Sequence, residues 1–395
     1  GSAVSAGRTR PVVLAYLALR DLRILQLLKH TYLGFSTQGS STEDRAQSGP
    51  TLMRRIVGER HIAFDSPLYH RGAAQFNDNL AALLKRYRDA RIPVFIGTLV
   101  SNEKDLPPFA SPLSEGTDVT AWRQHFETGV DALHGSDIDL ARTSLASALA
   151  LDNNAASVHF ALGRLYQNQG EYPAARLAYL DARDRDQLRF RAPQSFNRII
   201  RTVAAEQGAQ VVDVEASLLQ HAAHGIIGNE LMLEHLHPNL GSYFLLADAY
   251  YQALLDEGIA GPGVREVSRE QAWNEIPVTA VDLKKAEYEI MRLTADWPFQ
   301  RAPKEPQYPE RHSEIEQLAY SLFTRRTTWS SATEQLLENY LQQQDTLAAA
   351  RVAVLLADAY PYDTERQYRS AQLALDAGLK RDTARLLRRA PPVTE

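Results

Sequence analysis

The stretch "FALGRLYQNQGEYPAARLAYLDARDRDQ" (residues 160–187) decides how the middle of the chain folds, because "FETGVDALHGSDIDLARTSLASALALDNN" (126–154) carries the same pattern ahead of it. Gly129, Ala141 and Ala148 recur as Gly163, Ala175 and Ala182, at a constant spacing of 34 residues. Small residues at such positions let two antiparallel helices approach closely, while Leu162, Tyr166, Tyr172 and Tyr179 supply the bulk that fills the gap between them. Residues 121–189 therefore read as a helical insertion built of two hairpins.

The period and the placement of small residues resemble tetratricopeptide repeats. The second copy is the fuller one, with His159 standing where a large aromatic is usual. Near the end of the chain Leu337, Tyr340, Ala349 and Pro361 fit a degenerate copy, and 364–390 a second, so 311–395 is expected to form tetratricopeptide-like helices. Residues 261–310 are proline-rich without a long clean period and are expected to wrap or link.

Outside the insertion the pattern changes. Ser66-Pro67 is a helix start, with Ser66 as N-cap and Pro67 at the first helical position. Phe76, Leu80, Leu83, Leu84 and Tyr87 follow at helical spacing, and "IPVFIGTLV" (92–100) then reads as a buried strand. After the insertion, Phe196, Ile199, Ile200, Val203 and Ala204 mark a helix that stops at Gly208. "AQVVDV" (209–214) reads as a second buried strand, and a last helix occupies about 240–256. Helix, strand, helix, strand, helix predicts an α/β fold over 3–120 and 190–260: a partial parallel sheet with flanking helices. Two strands are too few for such a sheet to stand alone, so further strands are expected beyond these. With the helical repeats added, the chain is expected to be helix-rich overall.

Composition narrows the function. The 395 residues are 44% hydrophobic and 23% charged, ordinary for a globular protein. A net charge of -5 carries no footprint for nucleic acid. The absence of cysteine excludes disulfides, thiolate metal sites and a cysteine nucleophile. The apolar run from Pro11 to Leu33 is interrupted by Arg20, Asp21, Arg23 and Lys29, so it reads as an amphipathic helix packed on its own domain, or else a membrane-surface or oligomer face, rather than a membrane span. Residues 34–50 read as a polar loop, and Gly1-Ser2 as a vector-derived scar on a fragment.

The chemistry concentrates in "NELMLEHLHPNLGSYFLLADAYYQAL" (229–254). Pro238 pushes His237 out of helical geometry, so Glu234 and His237 lie on a loop, and Asn239 caps the helix that follows. A carboxylate on one ring nitrogen would fix the tautomer of His237 and leave the other nitrogen to move a proton. His235 is expected either to support this pair or to lie at the surface. His221 and His224 have a ligand-like spacing but complete no metal motif, so no metal site is assigned. Arg189 and Arg191 in "LRFRA" are candidate binders of an anionic substrate group, or else a domain-edge ion pair. Asn229-Glu230, and Asn102-Glu103 after the first strand, are expected at the pocket rim.

The block "LEHLHPNLGSYFLLADAYYQAL" resembles the last conserved block of SGNH (GDSL-type) esterases and acyltransferases, where an acid three residues before a histidine completes a serine triad. "VVDVEASL" resembles the family's last strand. "PVFIGTLVSNEKDLPPF" and "DQLRFRAPQSFNRII" are similar to a bacterial subfamily with tetratricopeptide repeats inserted and appended. The resemblance spans most of 10–256, with Glu234 in the place usually held by Asp. It implies serine acyl transfer without metal or organic cofactor, on an acylated small molecule or glycan, an acetylated glycan being one example. It also implies a bacterial envelope or periplasmic location, near a membrane through an N-terminal anchor that this chain would lack. The nucleophile and oxyanion blocks are not found, and Gly39-Ser40-Ser41 has no strand before it to form a nucleophile elbow. The alternative from the repeats is a non-catalytic scaffold that binds a protein or peptide partner.

Overall fold

Ser66 opens the first helix as its sequence signals: Ser66 Oγ accepts the backbone N–H of Tyr69 at 3.2 Å, and Pro67 occupies the first turn. The structure, a computed structural model, describes residues 61–259, 261 and 267–390. Among these residues it holds fifteen α-helices and one two-stranded parallel sheet. The chain divides into two compact units, Gly1–Arg265 and Glu266–Glu395. The expected helix over 11–33, the loop over 34–50 and Gly39-Ser40-Ser41 lie outside the described residues.

In the first unit, helix α1 (Pro67–Asp89) buries Leu80 and Leu84 against Ile200 and Val203 of α6 (Gln194–Gln207). Strand β1 (Phe95–Gly97) pairs in parallel with β2 (Gln210–Val212), Ile96 opposite Val211. Gly208 closes α6 in the left-handed conformation, φ 72°, where a side chain would be strained.

Both strands are shorter than the apolar runs that announced them, because polar side chains intercept the backbone at their carboxyl ends. Thr98 Oγ1 donates to Asp213 and accepts the backbone N–H of Glu215. Asp213 caps α7 (Val214–His221), and Asn197 takes both the N–H and the carbonyl of Leu99. The final helix of this unit is α8 (Leu240–Asp256), capped by Asn239.

Between β1 and α6 stand two helical hairpins, α2 (Val119–His134) with α3 (Ile138–Leu151), and α4 (Ala156–Asn168) with α5 (Tyr172–Arg185). Their recurrent small residues are the contact points. Ala141, Ala148, Ala175 and Ala182 are buried. A Cβ on Gly129 would fall 2.7 Å from Leu145 Cγ, and one on Gly163 would fall 2.6 Å from the Tyr179 ring. His159 is a core residue here: burial holds its pKa below the ordinary value, and Nε2 lies 2.7 Å from the Asn153 carbonyl oxygen.

The second unit comprises α9 (Arg269–Asn274), α10 (Ala280–Thr294), α11 (Glu314–Phe323), α12 (Trp329–Gln342), α13 (Thr346–Ala359), α14 (Thr364–Asp376) and α15 (Lys380–Arg389). Here the structure differs from the expected wrapping linker over 261–310. Helix α10 lies inside that range, opened by a reciprocal Thr279–Asp282 capping box, and its Val281 and Tyr288 belong to the core with Leu318, Leu336 and Leu356. The prolines that suggested a linker fall outside α10, at Pro262, Pro277 and from Pro298 onward, and leave its 15 residues free to coil.

Candidate active site

The loops leaving the carboxyl ends of β1 and β2 meet the 227–239 segment. Asn102 is buried after β1, and its N–H donates to the carbonyl of His235. Its side chain donates to Asn229 Oδ1 at 2.7 Å and accepts the N–H of Asp105. Glu103 donates its N–H to the Ile227 carbonyl and accepts the Ile227 N–H on Oε2. The post-β1 loop is therefore joined to the 227–237 segment by main-chain and side-chain bonds together.

That segment folds into a tight loop. Met232 bridges Pro238 in antiparallel fashion, Leu233 N–H donates to the His237 carbonyl at 2.7 Å, and Asn239 N–H donates to the Leu231 carbonyl. Inside it sits the carboxylate of Glu234. It accepts the backbone N–H groups of His235 (2.6 Å), Leu236 (3.4 Å) and His237 (2.8 Å). Oε1 also accepts Nδ1–H of His237, while Nδ1 of His235 lies against Oε2. Concave rings of N–H donors of this kind are favourable seats for a negative charge.

Exposure separates the three side chains. Glu234 and His235 are 1% and 2% exposed, whereas His237 is 56% exposed. Because Nδ1 of His237 is turned to the acid, Nε2 is the nitrogen left to exchange a proton with a reacting group. His235 lies edge-on to Phe109 and Phe190, with ring centroids 5.5 and 5.8 Å away. Burial, then the Arg191 and His237 charges, push its pKa down to about 3. It is a neutral ring at physiological pH.

The structure thus brings Glu234 and His237 together and places Asn102 beneath them and Asn229 at an exposed edge. Arg191 is buried, paired with Asp186 at 3.2 Å, and donates to the carbonyls of Asn102 and Leu106. Its burial lowers its pKa against the pull of Asp186. Arg189 donates to the carbonyls of Ile62 and Asp184 and stacks over Tyr69 at 5.1 Å. Both guanidinium groups therefore have partners within the chain itself.

In one polar cluster at this place only Glu103 carried a sequence signal, as a rim position beside Asn102, and it is buried rather than at a rim. Arg176 of α5 bridges Glu103 (3.1 Å) and Glu215 (3.0 Å), and Glu215 also accepts from Gln194 and Asn197. Burial raises the pKa of Glu103 in spite of Arg176. Burial opposes the charge of Arg176, but the two carboxylates outweigh it and hold its pKa up. The helical insertion is thereby fastened to the carboxyl ends of both strands.

Among the described residues no cluster of three or more His, Asp or Glu is placed to hold a metal ion, and no helix is long and apolar enough to cross a membrane. The chain matches no protein-family model, and no curated protein matches it significantly.

Proposed function

We propose that Glu234 and His237 are the acid and base of a serine-type ester hydrolase or O-acyltransferase of the SGNH kind. The observation that carries this reading is the asymmetry of the pair: a sealed carboxylate grips Nδ1 of a ring that is itself open to solvent. In such an arrangement His237 Nε2 takes the proton of a serine hydroxyl as its oxygen attacks the acyl carbonyl. The ester C–O bond breaks, the alcohol leaves with the proton from His237, and water or an acceptor hydroxyl then releases the acyl group. Glu234 orients the ring and stabilises its cation. Among the described residues no serine hydroxyl is hydrogen-bonded to His237. The substrate class is an acylated small molecule or glycan, and the site lies in or beside a bacterial envelope. The paired hairpins α2/α3, α4/α5, α12/α13 and α14/α15 are read as tetratricopeptide repeats, supported by the close glycine and alanine contacts of the first two.

The test compares ester hydrolysis of p-nitrophenyl acetate by the full-length protein and its His237→Ala variant. A rate loss of about 10³-fold or more is expected. Equal rates would overturn the assignment.

A second reading is favoured by a groove of about 630 Å³ in the second unit, where Arg366 and Arg369 of α14 meet Glu334 and Glu338 of α12 above Leu356 and Leu373. There the protein would be a repeat scaffold that holds a partner polypeptide. That reading expects partner capture to be lost on replacing Arg366 and Arg369 by Ala, and to be indifferent to His237.

A further inference from the structure

The segment that leaves the post-β1 loop crosses the helical insertion as extended chain, residues 107–114 forming neither helix nor strand. Two aspartates hold it. Asp152 and Asp186 are the C-caps of α3 and α5, 34 residues apart and so at equivalent positions of the two hairpins, and both are buried. Each accepts the N–H two residues on in its own turn, Asp152 that of Asn154 at 2.9 Å and Asp186 that of Leu188 at 3.1 Å. A carboxylate has about four lone-pair sites, and the others face the segment. Asp186 accepts the N–H groups of Phe109 (2.9 Å) and Ala110 (3.0 Å), besides the Arg191 guanidinium. Asp152 accepts the N–H of Ser114 (2.6 Å), its hydroxyl (2.9 Å) and the hydroxyl of Thr117 (3.3 Å).

Between these two points the grip continues. The Ala110 carbonyl accepts the N–H of Gln187, Ser111 Oγ accepts the N–H of Ser157 in the first turn of α4, and Leu113 packs against the core of the hairpins. A groove recognises an extended peptide in this way: main-chain bonds supply affinity, and side-chain pockets supply selectivity. Turn capping alone is met by the Asn154 and Leu188 bonds and leaves the bonds to the segment unexplained. We propose that the helical insertion is a peptide-binding module occupied in cis: its paired aspartates read backbone N–H groups, and Phe109–Thr117 is the resident ligand, replaceable by the same sequence in trans. The ligand class is an extended segment with a small residue at the place of Ala110, hydroxyls at those of Ser111 and Ser114, and an aliphatic side chain at that of Leu113. This inference is independent of the acyl-transfer reading.

The test titrates a fluorescent synthetic peptide of sequence 105–118 into the full chain and follows its anisotropy. An Ala110→Pro/Ser114→Pro variant removes N–H groups offered to Asp186 and Asp152 and so vacates the site. Saturable binding is expected in that variant, and binding weaker by about tenfold or more in the wild type, whose own segment competes at a high effective concentration. Adding Asp152→Asn to the proline variant should weaken the peptide by about tenfold, through loss of a charged acceptor. A folded proline variant that binds no peptide, binds it no better than the wild type, or is indifferent to Asp152→Asn would overturn the proposal. Where the proline pair prevents folding, Leu113→Ala serves as the receptor under the same outcomes. In the otherwise wild-type chain, Asp152→Asn should speed amide hydrogen exchange at Ser114 by about tenfold while Ala110 keeps its protection. Unchanged exchange at Ser114 would overturn the proposal whichever receptor folds.

Discussion

The carboxylate of Glu234 is sealed from solvent while the ring it holds, His237, is open to it, at 1% and 56% exposure. The acid is fixed by three backbone N–H groups of its own loop before the ring is added. Glu234→Gln keeps the volume but turns an amide NH₂ toward N–H donors. The expected cost is about 1–3 kcal/mol in stability, from a buried polar group left badly paired. Any acyl-transfer rate should drop by about 10²- to 10⁴-fold. Thermal melts beside single-turnover kinetics separate the two effects.

Acid should weaken the first unit through His235. Its ordinary pKa is 6.5 and its folded value about 3, so below about pH 6.5 the unfolded chain binds a proton that the folded one refuses. Stability is full above that point and falls as the pH drops toward about 3, by up to about 1.4 kcal/mol per unit. Urea unfolding of the wild type and of His235→Phe, followed from about pH 7 to about pH 4, checks this. The wild-type curve should fall more steeply, and parallel curves would contradict it.

Arg176 holds two buried carboxylates. Arg176→Met leaves Glu103 and Glu215 without their shared cation and should destabilise the first unit by about 3–5 kcal/mol. Arg176→Lys, with a compact charge and no planar fork, should recover part of that. Chemical denaturation gives the magnitudes.

Gly163 lies against the Tyr179 ring, so Gly163→Ala sets helix propensity against packing. Propensity alone would favour Ala by about 1 kcal/mol. A Cβ placed 2.6 Å from an aromatic carbon forces the helices apart, and overpacking of this kind costs about 1–3 kcal/mol. The net change should be destabilising, read as a lower melting temperature.

Local signals in the sequence located the helix ends well. Ser66-Pro67, Gly208 and Asn239 act through their own backbone geometry, and each stands at the terminus it announced. The 34-residue recurrence likewise marked where helices touch, since Gly129 and Gly163 are contact points. Strand length was less legible. Besides the local cap that Asp213 gives α7, Thr98 and Asn197 tie the ends of β1 and β2 by long-range side-chain bonds that no local pattern encodes. Helix α10 was hidden by the prolines around it, although the Thr279–Asp282 capping box stood in the sequence as a start signal. At the site, the spacing of Glu234 and His237 was readable because both lie on one short loop. Glu103 was readable only as a rim residue, and its link through Arg176 to Glu215 was not, because the three come from separated segments. The burial of His235 depends on Phe109 and Phe190, more than forty residues away in sequence, and adjacent histidines look alike until such neighbours are placed.

The central claim is that His237 activates a serine for acyl transfer. The most direct measurement is the rate at which a fluorophosphonate probe labels the full-length protein, with the modified peptide mapped by mass spectrometry. One serine adduct is predicted, forming about 10³-fold more slowly in His237→Ala. Labelling at the same rate in the variant, or no serine adduct in the wild type, would contradict it.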